Sequence, residues 1–470
     1  MQRGFGRDRR RVLLALGASA ATAGCGLLSR GPLEAPPPWF RPTEPRPPVV
    51  FLPGAFGARL RNRVTGAEIW PVGMPDLLVS NYPQLELPLD PDTADAAPDE
   101  VFAADLVEEA GIVEFYGGLV SALTSAGGYR RERPGTAVEE GSPRLYAFLY
   151  DWRRDLADAA RALDSLIEQV RADHGQPGLQ VDLVAHSGGG LVARYYLLHG
   201  GRPLDQAAAS RPDFAGAAKV NSVVAIGVPE LGMARAAAAL IEGEPVVLSR
   251  ILPEVLFTTQ SNFQLLPHGD DTWLVDGAGS PIAADSCDLG LWRQLGAGIF
   301  DSAVRARVRD AAGSPRAGRE RLALLERAFG LRLERARLFR QAIRAGAVPA
   351  SVPYASIGGD CRPTQARLLV EEFLGETRVR THPRDVHRPV SGLDYDRLML
   401  EMGDGLVTWS SVAGRPGWPV DGVEAVRLAE GTLAPVSVCA SHNQLVVNAD
   451  CQRALLRALG HAAEPAVPPS

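Results

Sequence analysis

Ser187 stands in LVAHSGGGLVARYYL, where a run of apolar residues ends at a serine among small neighbours and a helix-like pattern follows. A serine hydroxyl is a weak nucleophile until a base takes its proton. A sharp strand-to-helix turn is one way for a chain to lift that hydroxyl into a cavity. Val181 to Ala185 read as a buried strand, and Leu191 to Leu198 as the first turns of the helix beneath it. The turn between them needs small residues two positions either side of the serine, which Ala185 and Gly189 supply. The pattern is GxSxG with alanine in place of the first glycine. The same residues would also suit a plain helix N-terminus with Ser187 as its cap.

An activated serine needs a base, an acid to orient the base, and donors for the oxyanion. The acid is assigned to Asp404 in EMGDGLVTWSS, where Gly403 and Gly405 form a turn able to present a carboxylate and Leu406 and Val407 anchor it. An ordinary Asp-Gly turn is the alternative. Asp360, after the strand-like VPYASIGG, is the rival acid. Only His442 and His461 follow Asp404, and His442 is the better base. It lies between a β-branched run and an amphipathic stretch, whereas His461 lies in a tail of Ala, Pro and Glu. His186 is expected to point the other way off the turn and to pack, as are His174, His199 and His268. His382 and His387 have a spacing that could suit a metal, but no carboxylate or cysteine pattern completes it, so they read as surface loop and no metal or cofactor is expected. The order serine, acid, histidine is that of an α/β-hydrolase.

The oxyanion donors are placed in PPVVFLPGAFGARL, where a strand from Val49 to Leu52 runs into Pro53, Gly54 and Gly57. The amides of Phe56 and Gly188, the residue after the serine, would hold the oxyanion, each contributing about 3 kcal/mol. A plain strand-ending turn is the alternative.

Six segments in order carry a family resemblance: FLPGAFGARL, FLYDWR at Phe148 to Arg153, AHSGGGLVAR, IGVPELG at Ile226 to Gly232, GDGLV and SHNQLVVN. Together they resemble the lecithin:cholesterol acyltransferase and lysosomal phospholipase family. The resemblance implies an α/β-hydrolase core, a cap domain, a triad of Ser187, Asp404 and His442, and acyl-ester chemistry on lipids. The chain departs from the family at Ala185, at Leu406 after GDG where a small polar residue is common, and at Thr408 where proline is common. The cap region matches poorly. The segment from Glu68 to Phe102 resembles the family's excursion near the substrate entrance, or is a solvated loop.

A chain of 470 residues, 46% of them hydrophobic, can build a full core, and a net charge of −6 gives no reason to expect nucleic acid. Basic Arg9, Arg10 and Arg11 precede a short apolar stretch and Cys25, a pattern read as an export signal. TAGC resembles a lipobox whose cysteine is lipidated, with Thr22 where leucine is usual; ordinary cleavage and an unprocessed tail are the alternatives. Outside it, Cys287, Cys361, Cys439 and Cys451 admit one or two disulfides, with three complete pairings open. Cys439, close before His442, is expected to steady that loop.

The predicted organisation is an export signal over 1–25, a proline-rich linker over 26–47, a first core part over 48–232, a cap over 233–348, a second core part over 349–462 and a tail over 463–470. Strands near Val49, Leu145, Val181, Val223 and Tyr354, with helices after Trp152 and after Gly190, predict a mostly parallel sheet. In the cap, Leu322, Leu325, Phe329, Leu338, Ala342 and Ile343 recur at largely helical spacing among arginines. That face is expected to pack on the core, the alternative being arginines aimed at anionic lipid headgroups. The functional expectation is an exported serine lipolytic hydrolase acting on phospholipid or related acyl esters at a membrane surface. The alternatives are an O-acyltransferase to a sterol or other alcohol, and a non-catalytic binding protein on the same fold.

Overall fold

The structure is a computed structural model, and it describes residues 46–73, 80–110, 113–139, 141, 143–246, 248–268, 272–349, 351–414 and 435–460. The export signal with Cys25, the linker up to residue 45, His461 and the tail lie outside the described residues.

Seven short strands form the central sheet: β1 (Val49–Leu52), β2 (Arg130–Arg131), β3 (Arg144–Ala147), β4 (Val181–His186), β5 (Val220–Ile226), β6 (Tyr354–Gly359) and β7 (Val436–Val438), in the order β7-β6-β5-β4-β1-β3-β2. Every neighbouring pair is parallel. Parallel strands are joined by crossovers that cover both faces, so their inner members read as continuous apolar runs. β1 and β4 are buried along their whole length. In the one acid of β4, Asp182, Oδ1 accepts from Ser222 Oγ at 2.6 Å and Asn221 Nδ2 at 2.7 Å. Leu52 pairs with Ala185, Ala185 with Ala225 and His186 with Ile226, which brings the carboxyl ends of β1, β4 and β5 level. In open α/β sheets that edge is where ligands bind.

Helices α1 (Leu156–Asp173) and α2 (Gly188–His199) follow β3 and β4, and every residue of α2 is buried. After β5 the chain leaves the core through α3 (Ala234–Glu242), α4 (Ser302–Asp310) and the long α5 (Pro315–Arg344), then returns as β6; α6 (Ala449–Gly460) follows β7. Leu322, Leu325, Phe329, Ala342 and Ile343 of α5 are buried, and Leu338 is half-buried. The arginines between them mostly find carboxylates of the protein: Arg321 pairs with Glu86, Arg332 with Asp95, Arg335 with Asp155 and Arg340 with Asp285. That pattern favours packing over headgroup contact. Asp155 also caps α1 by accepting from the Ala157 amide at 2.8 Å, so one carboxylate both starts a core helix and fastens the cap to it.

The second core part is less continuous than the sequence reading has it. Within 349–462 the segment from Arg362 to Gly403 leaves the central sheet. Its strand Leu368–Phe373 pairs in parallel with Leu274–Asp276 of the cap and antiparallel with Glu376–Arg380, making a separate small sheet. The strand-like residues there pack on the cap, which local pattern cannot distinguish from packing on the core. A third excursion, Ala58–Asn62, Glu68–Trp70 and Val101–Leu106, forms an antiparallel sheet after β1. It carries Trp70 and Tyr82 inward, both buried, so Glu68 to Phe102 is more than a solvated loop. Among the described residues no helix is long and apolar enough to cross a membrane.

Candidate active site

Ser187 sits between β4 and α2 with φ 53° and ψ −130°, a left-handed conformation that a non-glycine residue adopts only where its surroundings impose it. The surroundings are crowded. A Cβ on Gly189 would lie 2.5 Å from the Leu52 carbonyl oxygen, and one on Gly190 would lie 2.2 Å from Val228 Cγ2. One on Gly54 would meet Ser187 Cβ at 2.7 Å. The Ser187 amide donates to Ile226 O at 2.9 Å, tying the turn to the end of β5. Ala185 is buried where β4 lies between β1 and β5, and the methyl is accommodated there.

Asp404 follows a short strand, Leu400–Gly403, and is buried. Its Oδ1 accepts from the amides of Leu406 at 2.9 Å and Val407 at 2.7 Å, while Oδ2 lies 2.8 Å from His442 Nδ1. Burial by itself would raise this carboxyl; the charge and hydrogen bond of His442, with the two amides, outweigh it and hold the group below the ordinary carboxylate value. Asp360, at the end of β6, makes no hydrogen bond to His442. His442 enters from the loop after β7, which the Cys361–Cys439 disulfide ties to the end of β6. Cys287 and Cys451 are free and buried.

Ser187 and His442 line one cavity of about 280 Å³, at the small end of ligand pockets, which run from about 300 to 1,000 Å³. No hydrogen bond joins the two side chains among the described residues. Such contacts are often long without substrate and tighten in the complex. Phe56, Trp70, Met233, Val246, Leu256 and Leu265 supply much of the apolar wall. Arg235 and Glu244 also line it, paired at 3.1 Å. Burial raises the Glu244 carboxyl against the opposing pull of Arg235. A larger, open groove of about 840 Å³ runs past Arg337, Arg340 and Arg344 of α5, but it holds none of Ser187, Asp404 and His442. The candidate site is therefore the smaller cavity.

Phe56 occupies the turn after β1 with φ 64°. Its carbonyl accepts from Trp70 Nε1 at 2.8 Å, and its ring packs 5.0 Å from Trp70 and 4.4 Å from Trp152. Gly188 opens α2, where the first amides of a helix have no intrahelical acceptor. Among the described residues neither the Phe56 nor the Gly188 amide donates to a protein acceptor. Both stay available to a ligand oxygen.

His186 departs from the sequence reading. It packs, but toward the site: it lines the same cavity, its ring centroid lies 4.7 Å from that of His442, and its Nδ1 is 2.8 Å from the Tyr116 hydroxyl. Nothing in VEFYGG marks Tyr116, and neither residue shows its role until β4 and the turn after β1 are side by side. The other histidines lie apart. His174 meets Tyr146, His199 meets the Ala342 carbonyl, and His268 is buried with no partner for either ring nitrogen. His382 and His387 lie 3.5 Å and 3.6 Å from Glu242 and Glu371, and no described cluster of His, Cys, Asp and Glu is placed to hold a metal.

The architecture is shared with known proteins. The chain superposes on the crystal structure of the Tle4–Tli4 complex with a TM-score of 0.52, at 14% identity over 89% of this chain and 99% of that one. Lipase 1 from Pelosinus fermentans aligns over 89% of this chain and 100% of its own at 13% identity and a TM-score of 0.32. No curated protein matches the sequence. The fold is that of an α/β-hydrolase. Residues 123–280 match the family model of lecithin:cholesterol acyltransferase, a stretch that contains Ser187 and supports a lipolytic hydrolase or acyltransferase.

Proposed function

We propose that the chain is an exported serine lipolytic hydrolase that cleaves acyl esters of phospholipids or related lipids. The observation that carries the reading is the convergence of Ser187 and His442 on one apolar cavity, with Asp404 2.8 Å behind the histidine. In the proposed reaction His442 takes the Ser187 proton as Oγ attacks the ester carbonyl. The Asp404 bond to Nδ1 leaves Nε2 as the accepting nitrogen and stabilises the imidazolium. The free amides of Phe56 and Gly188 receive the oxyanion. His442 then returns its proton to the departing alcohol, leaving an acyl group on Ser187 that water removes. The family match keeps an alcohol acceptor, and hence transfer, as the second reading. Export rests on the N-terminal pattern and gains support from the Cys361–Cys439 disulfide, a bond that persists in oxidising compartments.

The test is mass spectrometry of products from phospholipid liposomes containing a sterol, treated with the protein and with its Ser187→Ala variant. Free fatty acid with lysolipid is the expected result, and sterol ester would establish transfer. Equal product from both proteins would remove Ser187 from the reaction. No product from either would remove phospholipid as substrate.

A further inference from the structure

Three groups that the proposed reaction leaves without a role form a continuous chain beside the cavity, two of them, Tyr116 and His186, lining it. The Gly54 amide donates to the Tyr116 hydroxyl at 2.9 Å, and that hydroxyl lies 2.8 Å from His186 Nδ1. The Tyr116 oxygen accepts from Gly54, and its hydroxyl and His186 Nδ1 share the next hydrogen bond in the chain. Nε2 faces the backbone of His442 without completing a hydrogen bond. The His186 ring lies over that of His442, 4.7 Å away and inclined 38°. Tyr116 and His186 are both buried, and the tyrosine ring is fixed edge-on by Phe51 of β1 at 4.9 Å.

Each end of this chain touches a working part of the proposed site. Gly54 lies two residues before Phe56, in the turn that passes so close to Ser187 that a Cβ would collide with it. The other end is His442. Resting on the reading of Ser187 as nucleophile and His442 as base, we infer that Tyr116 and His186 are positioning residues that lock the oxyanion turn and the base into one register on β4. A buried hydroxyl and imidazole in mutual contact are rigid, and removing one leaves the other unsatisfied in a dry site. Burial, reinforced by His442, keeps His186 neutral, so it aligns its neighbour without adding a charge that would oppose the imidazolium.

Two variants probe the two ends. Tyr116→Phe keeps the contact with Phe51 and removes only the hydroxyl, freeing the oxyanion turn. His186→Asn keeps a polar partner for Tyr116 and removes the ring over His442. On a soluble p-nitrophenyl ester, Tyr116→Phe is expected to lower kcat about tenfold with KM unchanged, short of the roughly 100- to 1,000-fold cost of deleting an oxyanion donor. It should weaken a trifluoromethyl ketone, which mimics the tetrahedral intermediate, by the same factor. His186→Asn should lower kcat and weaken the ketone together, because the adduct forms only as His442 takes the Ser187 proton. A purely structural role would instead move the thermal transition and leave the ratio of ketone affinity to KM intact. Parental kcat and ketone affinity in Tyr116→Phe would overturn the inference. Parental turnover in Ser187→Ala would instead overturn the underlying reading, so the two failures are distinguishable.

Discussion

His442 is fastened to Asp404 twice: its backbone amide donates to the Asp404 carbonyl at 2.9 Å, and its Nδ1 lies 2.8 Å from Asp404 Oδ2. The first bond sets where the histidine loop crosses the acid turn, and the second sets the ring. Asp404→Asn leaves the backbone bond in place, removes the charge, and lets an amide N–H donate to Nδ1, so that the ring hydrogen sits on Nε2 and the base is disabled. The expected loss in kcat is about 10⁴-fold, the scale seen when a triad acid becomes an amide. Asp360→Asn should leave turnover near the parent's, because Asp360 does not reach His442. Steady-state kinetics of the two variants decide it, and equal losses would mean that the acid is misassigned.

Acid should unfold the protein through groups at the site itself. Burial, and after it the nearby His442, pushes His186 down from 6.5 to about 3. The unfolded chain therefore takes up a proton as pH falls through 6.5, while the folded chain resists until about 3. Across that window the unfolded state holds more protons, and stability falls with pH. Asp404, also held below its ordinary 3.8, adds a second loss that begins below that value. His268, buried with both nitrogens unpartnered and lowered by burial and by Arg340, contributes in the same direction as His186. Urea unfolding between pH 7 and 4 should show a steady decline in stability. His186→Asn should show a shallower one, and an identical slope would remove His186 as a cause.

The Cys361–Cys439 bond closes a loop with a sequence separation of 78, long enough for chain entropy to favour the folded state by about 4 kcal/mol. It also ends three residues before His442. Replacing both cysteines with serine should therefore lower unfolding free energy by about that amount. Well below the transition, kcat should fall with KM unchanged as the histidine loop loosens. Urea titration and ester kinetics on the double variant test both parts, and a stability loss under 1 kcal/mol would sink the first.

How much of this was open to reading depended on distance along the chain. The turn at Ser187, the glycines around Asp404 and the β-branched run before His442 are local signals, because each comes from what a few adjacent residues can and cannot do. The parallel sheet was legible for the same reason: its inner strands are short apolar runs separated by helical patterns. What failed needed partners far off in sequence. His186 looked turned away because strand alternation says nothing about a neighbour 256 positions later arriving over its ring. The arginines of α5 offered no clue to Glu86, Asp95 or Asp155 as partners. The strand Leu368–Phe373 has the same local pattern whether it pairs with the core or, as it does, with the cap. One or two disulfides and three complete pairings were open, and only the adjacency of β6 and β7 selects the single Cys361–Cys439 bond and leaves Cys287 and Cys451 free.

The glycines around Ser187 differ in what they tolerate, and the difference tests whether the turn geometry governs the reactivity proposed for the serine. At Gly54 an added Cβ would sit 2.7 Å from Ser187 Cβ, and at Gly189 it would sit 2.5 Å and 2.6 Å from the carbonyl oxygens of Leu52 and Pro53. Neither contact can be relieved by rotating a flexible side chain, so the backbone of the turn after β1 must move away from the serine. Ala185 is the opposite case: it already carries a methyl where glycine is usual. Ala185→Gly should thus cost only the added backbone freedom, about 0.5–1 kcal/mol. Labelling by a fluorophosphonate probe reports serine reactivity without a choice of substrate. Gly54→Ala and Gly189→Ala should label at least 100-fold more slowly than the parent, on the scale of a lost oxyanion donor. Ala185→Gly should label at the parental rate. Parental labelling in folded Gly54→Ala would mean that the close passage of the turn over Ser187 does not govern its reactivity.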